Sequence, residues 1–265
     1  MNKFKGYLIL SDIDGTITDD RGEITEENAQ AIRYFQSEGG LVTVSSGRYP
    51  RYIEKYAERF VPNTYVIGIN GTVLYDPATC RAVVSKPIDD GVIDILHAVL
   101  RDCPEVFRIT ASAHDREIDI FREDFDRFDE ILSTLGCPWH RFIIVQRADK
   151  TPCVLAYLHA LCGDRYNLDR SWSEGIELHS ADSGKGALLP DMKALLAASG
   201  NPIHTTVCVG DYENDVSMLI NADIAYAVEN AIDEVKAVAD RITVHHNNHA
   251  LAHIIADLEK DLEQK

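Results

Sequence analysis

The chain has 265 residues, 45% hydrophobic and 26% charged, so it can build a sizeable core and does not have the composition of a disordered polymer. With 26 basic against 43 acidic residues, its formal net charge is −17, which argues against a nucleic-acid backbone or an anionic membrane as the main partner. An anionic small substrate would be repelled as well, unless the site that receives it supplies a local cation.

In chain order, YLILS is a buried strand that runs into the carboxylates of DIDGT. TEENAQAIRYFQSEGG reads as a helix capped by Thr25, with Ala29, Ile32 and Phe35 at helical spacing and Gly39–Gly40 at its end. LVTVSS is the next buried strand, PRYIEKYAERF a helix with Pro50 in its first turn, and TYVIGIN a third strand. Strand, helix, strand, helix, strand with short connections predicts a parallel sheet covered by helices. The last third alternates in the same way, with a helix in KGALLPDMKALLAAS, a strand in TTVCVG, a short helix in NDVSMLINA, a strand in DIAYAV, then the helices AIDEVKAVA and LAHIIADLEKDL. Between about Val83 and Asp182 the rhythm is lost and helical stretches (DGVIDILHAVLRD) mix with strand-like ones (RFIIVQ). The expected architecture is therefore α/β: a Rossmann-like parallel-sheet core with helices on both faces, formed by residues 1–82 and 183–265, plus an inserted α+β domain over 83–182.

Ligands of open α/β sheets sit beyond the carboxyl ends of the strands. The residues there are Asp12-Ile13-Asp14-Gly15-Thr16, Ser45-Ser46-Gly47-Arg48, Asn70-Gly71 and Gly210 to Asp215, all but Ile13 and Tyr212 polar or glycine. Asp12 and Asp14, two apart, are expected to face one site, and Asp211 to reach the same edge. An aspartate after a strand is commonly only a turn or cap residue. The set of Asp12, Asp14, Asp211 and Asp215 instead suits a hard, oxygen-ligated cation such as Mg²⁺. Ser46–Gly47 offers a hydroxyl and an open backbone N–H, and Lys185 lies between glycines at what reads as a helix start. Together these groups can hold a phosphate beside a metal.

DIDGT, SSGR, the lysine of SGKG and GDYENDVSML, in this order, resemble the four motifs of the haloacid-dehalogenase-like phosphohydrolases, and NAIDEVKAVAD is similar to a later segment of their Cof-type branch. The resemblance implies that the 83–182 insertion is a cap that sets substrate specificity. It implies Asp12 as nucleophile and Asp14 as general acid and base. Mg²⁺ would be held by Asp12, the Asp14 carbonyl and Asp211, and the phosphoryl group by Ser46, Gly47, Lys185 and Asn214. Asp215 would support this set. YAVENA and NHALAH depart from the branch pattern outside these motifs. The activity so implied is Mg²⁺-dependent hydrolysis of a small phosphorylated metabolite, a sugar phosphate first of all, through an aspartyl phosphate. Alternatives are a phosphomutase on the same fold, or a catalytically silent metabolite-binding regulator.

Arg48 can pair within the core or approach substrate, and Arg108, His114 and Arg116 are the polar cap residues nominated for specificity. His249 and His253 have a helical spacing that zinc can use, though a surface turn explains them as well. The six cysteines (Cys80, Cys103, Cys137, Cys153, Cys162, Cys208) form no CxxC, and the N-terminal apolar run is too short for a secretion signal. They read as reduced, mostly buried thiols of a cytoplasmic protein, and no window offers the roughly 20 apolar residues of a membrane helix. Oligomeric state is not legible.

Overall fold

The computed structural model describes residues 2–113 and 115–264. They form two compact units, one of residues up to Val84 together with those from Lys185, the other Ser85–Gly184.

In the first unit, β1 (Tyr7–Ser11) leads through a tight turn to α1 (Glu26–Ser37), followed by β2 (Leu41–Val44), β3 (Val66–Gly68), β4 (Val73–Asp76) and β5 (Arg81–Ser85), whose last residue begins the second unit. Thr25 caps α1 by accepting the Asn28 N–H at 3.3 Å, and Ala29, Ile32 and Phe35 are its buried face. Pro50 starts a 3₁₀ segment over Pro50–Tyr56, where the sequence predicts a longer helix.

In the second unit the order is α2 (Val92–Asp102), β6 (Val106–Ser112), β7 (Glu117–Phe121), α3 (Phe128–Leu135), β8 (Arg141–Gln146), α4 (Thr151–Cys162), β9 (Tyr166–Trp172) and β10 (Gly175–Ser180). The chain then returns to the first unit with α5 (Leu189–Ala198), β11 (Thr205–Gly210), α6 (Val216–Ile220), β12 (Ile224–Ala227), α7 (Asp233–Val238), β13 (Arg241–Ile242) and α8 (Ala250–Glu263).

The first unit is built on a five-stranded parallel sheet in the order β13-β12-β11-β1-β2. Leu8, Ile9 and Leu10 of β1 and Val207, Cys208 and Val209 of β11 are fully buried, as central parallel strands covered on both faces must be. The third expected strand behaves differently. β3 pairs antiparallel with β4 in a separate sheet β3-β4-β5 and meets the edge of the parallel sheet at the Ser45–Ile67 bridge. A three-residue strand next to a hairpin partner satisfies its backbone groups locally, and alternation alone does not reveal that.

The second unit is an antiparallel sheet β7-β6-β8-β10-β9. Phe142 and Ile144 of β8 join α2, α3 and α4 in its own hydrophobic core. Arg141, which alternates to the opposite face, is buried and donates to Glu177 (2.6 Å) and Glu117 (2.8 Å). Of the six free cysteines, Cys103, Cys162 and Cys208 are buried, whereas Cys80, Cys137 and Cys153 are exposed, so the expectation of mostly buried thiols holds for half of them. Among the described residues no helix is long and apolar enough to cross a membrane.

Candidate active site

β1 and β11 are neighbours in the parallel sheet, and their carboxyl ends deliver Asp12 and Asp211 to one place. Asp12, Asp211 and Asp215 each offer a carboxylate oxygen within 4.8 Å of the others. Lys185 reaches into this group: its Nζ donates to Asp12 Oδ1 at 2.6 Å and to Asp215 Oδ1 at 2.7 Å, with the lysine only 2% exposed. Burial works against the ammonium, but Asp12 and Asp215 outweigh it, and Lys185 is held charged well above the ordinary lysine range. Asp12 is raised well above the usual carboxylate range, first by burial, with Lys185 opposing and Asp215 and Asp211 adding repulsion. Asp211 is pushed up to about 6, again by burial first and by Asp215 next.

The three acids are not equivalent. Asp215 has its second oxygen occupied by the Asp211 and Tyr212 N–H groups, at 2.9 and 3.1 Å. It is a fixed anchor for Lys185. Asp211 Oδ1 accepts from Thr16 Oγ at 3.0 Å. Asp12 Oδ2 and Asp211 Oδ2 accept no hydrogen bond among the described residues. Two open carboxylate oxygens, with no histidine or cysteine in the cluster, fit a hard divalent cation.

Asp14 departs from the expected arrangement. Its carboxylate is half-exposed and accepts from Arg48 Nε at 3.0 Å, instead of joining Asp12. The strand ends at Ser11 and the chain coils at once, with Gly15 at φ +77°, so strand alternation no longer governs where residue 14 points. Gly15 is required sterically as well, since a Cβ there would stand 2.7 Å from Asp211 Oδ2. Gly15→Ala is expected to cost about 1–2 kcal/mol in stability and to weaken metal binding by displacing Asp211. Thermal unfolding and a Mg²⁺ titration check both effects.

Ser46 is buried, and its Oγ accepts the Arg48 N–H at 3.1 Å. Gly47 separates the two. Lys185 precedes α5 by four residues rather than starting it. Gly186 beside it has no room for a side chain, because a Cβ would fall 2.3 Å from the Ser217 carbonyl oxygen. Asn214 is buried and donates to Asn70 Oδ1 at 3.2 Å. Arg48 takes the first of its two options, pairing with Asp14 of the same unit, and lies half-exposed 4.8 Å over the Tyr52 ring. His249 bonds Thr25 Oγ at 2.9 Å, and among the described residues no group of three metal-ligating side chains includes it or His253.

Four contributors have no role in the sequence reading: Thr16 on Asp211, Ser45 donating to the Lys185 carbonyl at 2.9 Å, Asn70, and Asn230, whose Nδ2 donates to the Gly15 carbonyl at 2.9 Å. Thr16, Ser45 and Asn70 stand in the strand-end segments already singled out. Their proximity to the chemistry was legible, but their partners were not.

The family model described as haloacid dehalogenase-like hydrolase matches residues 9–255. The chain belongs to the haloacid dehalogenase-like hydrolases. Among curated relatives, phosphatase YwpJ of Bacillus subtilis is 28% identical over 289 residues, covering 95% of this chain and 99% of its own. The 5-amino-6-(5-phospho-D-ribitylamino)uracil phosphatase YitU of the same organism is 26% identical, covering 96% and 97%. Among solved structures, the HAD subclass IIB sugar phosphatase BT4131 shares the fold, with a TM-score of 0.76 at 16% identity and coverage of 95% and 98%. A haloacid dehalogenase-like hydrolase from B. subtilis does so with a TM-score of 0.76 at 24% identity, covering 94% and 98%. Within the haloacid dehalogenase-like hydrolases this chain is a phosphoric monoester hydrolase of the Cof-type branch.

Proposed function

We propose that the protein is a Mg²⁺-dependent phosphatase that hydrolyses a small phosphorylated metabolite, a sugar phosphate first of all, through an aspartyl phosphate on Asp12. The observation that carries this reading is the buried Asp12–Lys185–Asp215 cluster with Asp211 beside it. Asp12, Asp211 and the Asp14 carbonyl would hold Mg²⁺, which when bound offsets negative charge on the phosphoryl oxygens.

Asp12 attacks phosphorus through a carboxylate oxygen as the ester P–O bond breaks, and protonated Asp14 gives its proton to the leaving alcohol. Asp14 then takes a proton from water as that water attacks phosphorus. The bond to Asp12 breaks and inorganic phosphate leaves. Lys185 and Ser46, with the Gly47 N–H and Asn214, hold the transferring oxygens, and Asp215 holds Lys185. Because Arg48 holds the Asp14 carboxylate, substrate must draw it from that partner before it can deliver a proton.

Choice of substrate is assigned to the cap of residues 83–182. Of its nominated residues, Arg108 lies 3.5 Å from Asp119, and among the described residues its buried Nε has no hydrogen-bond partner. Arg116 instead donates to the Leu135 carbonyl, and His114 lies outside the described residues. Relatives named for a ribitylaminouracil phosphate and a sugar phosphate support a small phosphorylated metabolite. The charge of −17 disfavours nucleic acid or an anionic membrane as partner.

The test is hydrolysis of para-nitrophenyl phosphate and a panel of sugar phosphates with Mg²⁺ and with EDTA. Turnover only with metal supports the reading, and turnover indifferent to EDTA contradicts it. The pH dependence has a defined sign. Asp211 binds a proton in the folded state up to about 6, against 3.8 as its ordinary value. On this group metal-free stability is greatest in acid and is lost as pH rises through about 6, and Mg²⁺ competes with the proton. Apparent Mg²⁺ affinity is therefore expected to fall by at least about tenfold per pH unit below that value, since Asp12 is raised in the same direction. The thermal upshift given by Mg²⁺ should be larger at pH 7.5 than at pH 5.

A further inference from the structure

The segment that follows the Ser46 strand end, GRYPRYIEKY, interleaves cations with tyrosines in a chain otherwise dominated by acid. Its cations are not alike. Arg51 is paired with Glu54 at 2.8 Å, Arg59 just beyond is paired with Glu26, and Arg48 is paired with Asp14. Lys55 is exposed, and among the described residues no carboxylate lies within 4.0 Å of it. It rests on two aromatic faces instead, 5.6 Å from the Tyr52 ring centre and 5.2 Å from that of Tyr56. The other cation on Tyr52 is Arg48, and Tyr52 and Tyr56 meet edge to face at 6.1 Å. These contacts form a continuous ridge that starts at the Asp14 carboxylate. Burial first, then the charges of Tyr52 and Asp14, push the Tyr56 phenol up, which places Asp14 in the same neighbourhood.

The place of this ridge gives it chemical meaning. If Asp14 protonates the departing oxygen, the leaving group lies on the Asp14 side, while the phosphoryl group faces Lys185. On that side the Asp14 carboxylate is followed by Arg48 and then, along the Tyr52 and Tyr56 rings, by Lys55. A second anion there finds an ammonium that, among the described residues, no carboxylate matches within 4.0 Å. Aromatic support orients such an ammonium without a carboxylate that would compete with substrate.

We infer that Lys55, with Arg48 on the Tyr52–Tyr56 ridge, is a subsite for a second negative charge on the leaving group, so that the preferred substrates are phosphate monoesters carrying a further carboxylate or phosphate. This rests on the phosphatase reading and deepens it.

The experiment pairs esters that differ in that charge: 2-phosphoglycolate with 2-hydroxyethyl phosphate, 3-phosphoglycerate with glycerol 1-phosphate, and fructose 1,6-bisphosphate with fructose 6-phosphate. They are compared in the wild type, Lys55→Gln and Lys55→Arg. In at least one pair the wild type is expected to favour the doubly substituted ester by about tenfold in kcat/KM. That ratio should fall towards unity in Lys55→Gln, mainly through KM, and be kept in Lys55→Arg. A ratio near unity in every wild-type pair, or one that Lys55→Gln leaves unchanged, overturns the subsite. If no ester is turned over, the phosphatase reading fails, and calorimetric binding of the same pairs to Asp12→Asn protein, with and without Lys55→Gln, decides the subsite separately. Equal Kd values within every pair then overturn it, and a preference that disappears with Lys55 upholds it.

Discussion

Asp12→Asn is expected to reduce turnover by about 10⁴-fold or more while leaving the metal-free protein as stable as the wild type or more so. The two effects share one cause. Asp12, Asp211 and Asp215 cluster around the buried Lys185 ammonium, which of the three bonds only Asp12 and Asp215, so the metal-free site carries more negative than positive charge. Burial raises Asp12 well above the usual carboxylate range, so its ionised form destabilises the fold, and increasingly so as pH rises through its folded value. An asparagine carries no charge, and its amide oxygen can still accept from Lys185. A gain of about 1–2 kcal/mol is expected in urea unfolding with EDTA at pH 7.5. Excess Mg²⁺ should narrow the gap, because the wild type gains more from the metal. A variant that lost both activity and stability would mean that Asp12 is structural.

Lys185→Met reverses the stability effect. Removing the ammonium leaves Asp12 and Asp215 buried without their shared donor. Breaking a buried pair from one side costs about 3–5 kcal/mol, and loss of the cation proposed to hold the phosphoryl oxygens is expected to lower turnover by about 10²–10³-fold. The penalty should be larger at pH 8 than at pH 5, because Asp211, raised to about 6, and Asp12, raised in the same direction, are protonated in acid and stop repelling each other. Adding Asp215→Asn should recover part of the stability and none of the activity. Full recovery of activity would show that the cation is dispensable.

Much of this site is legible in the sequence because strand ends in a parallel sheet converge, and apolar runs such as YLILS and TTVCVG mark those strands without ambiguity. Placing Asp12 and Asp211 side by side needs only that β1 and β11 be neighbours. The direction of Asp14 is not legible, because it depends on a turn whose Gly15 dihedral sequence spacing does not encode. Nor is the anchoring of Lys185: the Ser45 bond to its carbonyl joins residues far apart in the chain, and its place before α5 follows from Pro190 occupying the first turn of that helix. The antiparallel pairing of β3 escapes the sequence because three buried residues carry no sign of their partner's direction. In the second unit, β8 reads as one apolar run, yet it sends Arg141 into a buried pair with Glu177, whose position depends on strand register.

Whether Asp12 carries the phosphoryl group during turnover is tested most directly by acid quenching with peptide mass spectrometry. Wild-type protein should be mixed with Mg²⁺ and a hydrolysed ester, quenched within the first turnovers and digested. A phosphoryl group is expected on the peptide spanning residues 6–21, located at Asp12, formed only with metal and absent from Asp12→Asn. Metal-dependent turnover with no phosphoryl group on that peptide, or with one on another residue, would contradict the role of Asp12 as nucleophile.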